Sequence, residues 1–218
     1  TLTRDHRIFQ EKSIVDIIEK VFTDLGFTDF EKSLKGTYAK RDYCVQYGES
    51  AFDFVSRLME EEGIFYFFEH EEGKHTLILA DDPSAFKDLG PFVMGNDFDA
   101  LIFGRVRTLQ AHYALIPTKY ELNDYDFEKP SSPLTVKETA LAPSQTIDPL
   151  EVYAFPGKYA EKGDGTARVL TRIEESERDR TLYHGTSTCM AFSPGHTFTL
   201  KEHPSGTLNT DYQFRSVH

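Results

Sequence analysis

The groups in this 218-residue sequence that could do chemistry are its eight histidines, its acidic runs, two cysteines and one glycine-rich turn. His70 and His75 flank a polar turn beside Glu69, Glu71 and Glu72, so imidazoles and carboxylates are close along the chain. The H-E-x-x-H order that sets two imidazoles on one helix face is absent, and side chains around a tight turn are ordinarily solvated. His196 and His203 lie in PGHTFTLKEHP near Ser193 and Ser205. No G-x-S-x-G elbow accompanies them, which leaves a strand-and-turn role. Glu60, Glu61 and Glu62 are consecutive, so they diverge around a helix end and cannot face each other as a glycosidase pair does. They also sit at the unfavourable end of the helix dipole. Nothing nearby in the sequence offsets that cost, and basic residues of a partner are one way to do so. Gly163-Asp164-Gly165 lacks the third glycine and the lysine of a phosphate cradle and reads as a turn and helix start. Cys44 and Cys189 sit in apolar surroundings, YCVQY and STCMAF, without C-x-x-C spacing, and read as buried free thiols. The expectation is no catalytic residue, no cofactor and no metal-ligand set.

The elements around these groups are clearer than the groups themselves. Ser13 and Asp16 form a capping-box start, followed at helical spacing by Ile14, Ile17, Ile18, Val21, Phe22 and Leu25, with Gly26 as the stop. The design repeats with Ser50 as cap, Asp53 three residues on, a face of Ala51, Phe54, Val55, Leu58 and Met59, and Gly63 as the stop. Ile64 to Phe68, a turn around Glu71 to Gly73, and Thr76 to Ala80 then predict a hairpin whose first strand is apolar on both faces. Such a strand needs cover on each side, from the same chain or from a partner.

Residues 81–99 carry Pro83, Gly90, Pro91, Gly95 and Asn96 and read as a linker or loop. Strand-like runs follow at Phe103–Tyr113, Lys119–Tyr125, Glu151–Phe155, Thr186–Phe192, His196–Lys201 and Tyr212–Val217, which suggests a barrel or sandwich. A charged helix over Asp164–Leu182 has an apolar stripe of Ala167, Leu170 and Ile173, and Glu174 is placed to pair with Arg178. Residues 128–149 read as an extended connection. The predicted fold is α+β and strand-dominated, with a helix-and-hairpin part over 1–90 and a barrel-like part over 91–218.

Composition narrows the function classes. With 18 Phe, 11 Tyr, no Trp and 39% hydrophobic residues, the chain can bury an ordinary core and leans towards strands. A net charge of −12 argues against a sequence-independent grip on nucleic acid or anionic membrane. No apolar run approaches the ~20 residues of a membrane span, and no signal-peptide pattern opens the sequence. TLTRDHRIF begins in mid-pattern, as an internal strand would, so the sequence reads as a fragment of a protein made in the cytoplasm.

Residues Tyr38 to Asp81, YAKRDYCVQYGESAFDFVSRLMEEEGIFYFFEHEEGKHTLILAD, resemble the signature region of VgrG proteins, the valine-glycine-repeat spike proteins of type VI secretion systems. DYDFEKP at Asp124–Pro130, LEVYAFPGKYAE at Leu150–Glu161 and FSPGHTFTLKEHP at Phe192–Pro204 extend the likeness in order. The resemblance implies a hub similar to that of contractile-tailed phages, with paired barrel-like subdomains in each chain, three of which close a ring seated on a hexameric tube. It also implies a spike-tip protein and effectors as partners, no cofactor or stable membrane insertion, and a cytoplasmic protein that is later secreted into the medium or a target cell. The family's OB-type barrel and β-helical needle are not read in this sequence, and 90–105 is shorter than its usual counterpart. A baseplate hub of a phage or phage-derived particle is the alternative.

Overall fold

The structure is a computed structural model and describes residues 3–95, 104–141 and 150–218. By its own packing the chain divides into two units, one of residues 1–109 with 185–218 and one of 110–184. This partition differs from the expected boundary at residue 90, because C-terminal strands pair with a strand from the middle of the chain.

The first unit opens with β1 (Arg4–Phe9), β2 (Lys12–Ser13) and α1 (Ile14–Asp24). Ser13 Oγ accepts from the Asp16 amide while the Asp16 carboxylate accepts from the Ser13 amide, the reciprocal capping box read from the sequence. At the other end the Gly26 amide donates to Thr23 and the Phe27 amide to Phe22, a Schellman stop made possible by Gly26 at φ 78°. After β3 (Phe30–Ser33), β4 (Lys40–Arg41) and β5 (Cys44–Ser50), the helix α2 (Ala51–Glu62) starts on Ser50, which accepts from the Asp53 amide. It ends on Gly63 in the left-handed conformation.

Ile14, Ile17, Ile18 and Val21 of α1 and Phe54, Val55, Leu58 and Met59 of α2 share one core with Phe9, Cys44 and Ile64. Leu79 of the hairpin joins them. That hairpin consists of β6 (Phe65–Glu71) and β7 (Lys74–Ala80), and β3 pairs in parallel with β7 on the far side. The helices therefore cover the Leu79 face of the sheet, while Phe67, Ile78 and Ala80 pack on the other face against Ala85 and Phe86. Within its own chain β6 is fully covered on one side only. Phe67 is buried, but Tyr66 and Phe68 remain 38% and 43% exposed, because β6 is an edge strand and the helices cap the neighbouring β7.

The stretch expected to be a loop contains β8 (Lys87–Val93), which pairs in parallel with β14 (His196–Lys201). The register slips where Gly90 at φ 80° makes a bulge, and Pro91 is tolerated on an edge strand that needs no outward amide. The breakers that suggested a loop are thus the bulge itself. The remainder of that predicted linker, from Asn96, lies outside the described residues. β15 (Asp211–Gln213) pairs on the other side of β14, and Val106, Phe198, Leu200 and Tyr212 form a second core in this unit. Gly195 is constrained by this packing, since a Cβ there would overlap the Phe67 ring.

The chain leaves the first unit along β9 (Val106–Tyr113) and returns along its partner β13 (Thr181–Ser187). In the second unit β10 (Lys119–Leu122) lies between β11 (Val136–Thr139) and β12 (Glu151–Ala154), and α3 (Lys162–Arg178) supplies the core partner Val169. β11 falls within the expected extended connection, whose last residues, 142–149, are outside the described ones. The buried face of α3 is Gly165, Val169 and Ile173, not Ala167, Leu170 and Ile173; Leu170 is 43% exposed. Ion pairing on α3 includes Arg172 with Glu175 at 2.9 Å. The α+β, strand-dominated expectation holds. Among the described residues the sheets have two or three strands each and none closes into a barrel.

Candidate functional site

The strongest side-chain constellation lies in the Tyr38–Asp81 stretch. Arg41 on β4 donates to Glu61 Oε2 at 2.7 Å and to Glu62 Oε1 at 2.9 Å. Arg57 donates to Glu49 and to the Val45 carbonyl and lies over the Phe54 ring, 5.4 Å from its centroid. Burial alone would lower the Arg41 pKa, but its bonds to Glu61 and Glu62 outweigh that and the net shift is upward. Glu61 and Glu62 therefore find countercharge within the chain, which corrects the suggestion that a partner's basic residues offset the run. The signal was Arg41 itself, twenty residues away in sequence, and only the β4 pairing brings it to the end of α2.

A second constellation centres on Asp81 at the end of β7. Its carboxylate accepts from the Lys35 amide at 2.8 Å, the Gly36 amide at 2.7 Å and the Tyr38 hydroxyl at 2.8 Å. A Cβ at Gly36 would lie 2.9 Å from Asp81 Oδ2, so the glycine permits this close approach. Burial pushes the carboxyl up, yet these donors together prevail and hold its pKa below the ordinary value. Tyr38 is raised by burial first and by Asp81 second. Nothing in the sequence pattern singled out this latch.

The residues weighed for chemistry are placed as follows. His70 and His75 are exposed cross-strand partners with Nδ1 atoms 2.7 Å apart. Ser193 Oγ lies 3.0 Å from His196 Nδ1 within one turn, and His203 Nδ1 accepts from the Ser205 amide at 2.9 Å, both local braces. Gly165 is the floor for Tyr159, whose hydroxyl sits 3.0 Å from the Leu122 carbonyl and 2.7 Å from that of Leu134. A Cβ at Gly165 would come within 2.5 Å of that ring, so packing accounts for the glycine. Cys44 is buried, and burial raises its thiol pKa; Cys189 is only partly buried, which corrects the expectation for it. Among the described residues no group of three or more His, Cys, Asp or Glu is gathered, and no helix is long and apolar enough to cross a membrane.

These constellations tie loops to strands and helices; their donors and acceptors are engaged with one another. The family described as phage tail baseplate hub (GPD) matches residues 1–218. The chain belongs to that family. Among curated proteins the hub sequence is 37% identical over 218 residues to the type VI secretion system spike protein VgrG1a of Pseudomonas aeruginosa, covering 97% of this chain and 33% of that protein. It is 32% identical over 224 residues to the actin cross-linking toxin VgrG1 of Vibrio cholerae, covering 100% of this chain and 20% of the toxin. The chain thus spans about a third or less of the length of these relatives. Its fold is also that of a solved Escherichia coli protein, c3393, described as a component of the type VI secretion system with structural similarity to the T4 tail proteins gp27 and gp5. That match has a TM-score of 0.65 at 18% identity, over 99% of this chain and 48% of the other. The 43 kDa tail protein of prophage MuSo2 from Shewanella oneidensis gives 0.65 at 10% identity, covering 94% and 60%.

What the hub presents outward is apolar as well as charged. Ile8 and Tyr47, on the paired strands β1 and β5, are 60% and 79% exposed. Tyr66 and Phe68 stand beside each other on the β6 edge with ring centroids 6.1 Å apart.

Proposed function

We propose that this chain is the hub portion of a type VI secretion spike, a structural part that three copies assemble into a ring at the base of the puncturing needle. The observation that carries the reading is the hub-family match over all 218 residues, joined to similarity with VgrG spike proteins across 97% of the chain. In this reading the ring seats on a hexameric tube, passes sixfold into threefold geometry, and leaves the cytoplasm with a tip protein and effectors when the machine fires. Each copy contacts two neighbours through different surfaces, so the interface is heterologous and closed by symmetry. Exposed aromatic edges such as Tyr66 and Phe68 suit such contacts, where aromatic residues are enriched. The part is not catalytic: Arg41, Asp81 and Tyr159 hold elements together, and effector chemistry of the kind named for the Vibrio cholerae toxin belongs to other regions.

Deleting the full-length gene in its own bacterium tests the reading. Release of the secretion system's tube protein into the medium should stop and return on complementation. Unchanged tube release with loss of phage-like particles would assign the hub to a phage-derived machine instead.

A further inference from the structure

We infer that Met190 is an oxidative modification site, the methionine of this sequence that hydrogen peroxide converts to its sulfoxide while the fold stays intact. The three methionines have different surroundings. Met59 is 4% exposed in the core shared by α1 and α2, Met94 is half-buried against the core of Phe198 and Leu200, and Met190 is 98% exposed. A thioether sulfur must meet the oxidant directly, so susceptibility among the three follows exposure. The chemistry needs neither the ring nor the secretion machine, only an accessible sulfur and a peroxide.

The fold holds Met190 out of the core from both sides. Before it, the Thr188 amide donates to the Arg105 carbonyl at 3.1 Å and the Cys189 amide to Ser187 Oγ at 3.0 Å. Cys189 also lies so close to Gly104 that a Cβ on the glycine would come within 2.8 Å of the Cys189 Cβ. Two residues after Met190, Phe192 enters the aromatic core, its ring centroid 4.8 Å from that of Phe92 and 4.5 Å from that of Phe214. Met190 therefore crosses between two fixed points with its side chain in solvent. In the reaction the sulfur lone pair attacks one peroxide oxygen, an S–O bond forms as the O–O bond breaks, and sulfur loses two electrons. The attacked oxygen gives up its proton to the departing hydroxide, which leaves as water. The polar product stays solvated where it stands and removes no core contact, whereas a sulfoxide at Met59 would bury an unpaired polar group. Of the two thiols, Cys44 is shielded, and burial holds it in the less reactive protonated form.

A time course of the full-length protein in dilute hydrogen peroxide, followed by peptide mass spectrometry, tests the site. Fragmentation of the peptide between Cys189 and Met190 assigns the added oxygen to one or the other. Met190 should gain its oxygen about tenfold or more faster than Met59, with Met94 between them. The Met190→Leu variant should lose the fast event, and the parent with Met190 fully converted should keep the melting temperature of that variant treated in the same way. Oxidation of Met190 no faster than that of Met59 would overturn the inference. So would an oxygen carried by Cys189 in place of Met190, or a fall in melting temperature that the Met190→Leu variant does not share.

Discussion

Arg41 is 19% exposed at its side chain, and its partners Glu61 and Glu62 are 10% and 25% exposed, so this fork is shielded enough from water to matter. Truncating it removes the fork from two carboxylates at the dipole-disfavoured end of α2, where Arg57 lies 3.6 Å from Glu61. Arg41→Ala should lower stability by about 1.5–3 kcal/mol, the range for hydrogen bonds to charged groups, as read from urea denaturation midpoints. Arg41→Lys, which keeps the charge and loses the fork, should recover only part of it. Asp81 gives a pH signature. Its folded pKa is depressed, so its contribution is fully present above the unfolded carboxyl range and is lost as pH falls through the folded value. The melting-temperature gap between the parent and Asp81→Asn should be open at neutral pH and close below about pH 4. A gap that stays constant to acid would assign the loss to packing instead. Neither role could be read from sequence, because a lone Arg or Asp carries no periodicity and gains meaning only when distant partners arrive.

Elements defined by local physics were legible. Ser13, Asp16, Gly26, Ser50 and Gly63 mark helix ends through hydrogen bonds made within a few residues, and the hairpin shows itself through Gly73 and its flanking apolar runs. Elements defined by distant pairing were not. β8 carries breakers that resemble a loop until β14 supplies its ladder, and the α3 face was misjudged because Gly165, read as part of a turn and helix start, is buried beneath Tyr159. The second helix packs on the hairpin that follows it, its face meeting Ile64 and Leu79, while Phe67 serves the opposite side of the sheet. Leu58 lies fully buried at that junction, so Leu58→Ala should cost ~2–5 kcal/mol. Thermal melting equal to the parent would show that this face is not core.

At the scale of the whole molecule, composition pointed to a strand-rich chain, and the ordered resemblance from Tyr38 to Pro204 pointed to a hub. The exposed face of β6 was hidden, because an apolar run does not say whether its cover lies in the same chain. Among the described residues no group of three or more His, Cys, Asp or Glu is gathered as a structural metal site would need. Chelation with EDTA should therefore leave the melting temperature unchanged, and a large loss restored by zinc would contradict this. In the proposed function the hub works as a ring of three identical chains. Sedimentation analysis of the full-length protein at micromolar concentration tests it most directly. The expected mass is that of a homotrimer, whose population should grow with protein concentration, and a monomer or a dimer there would contradict the ring.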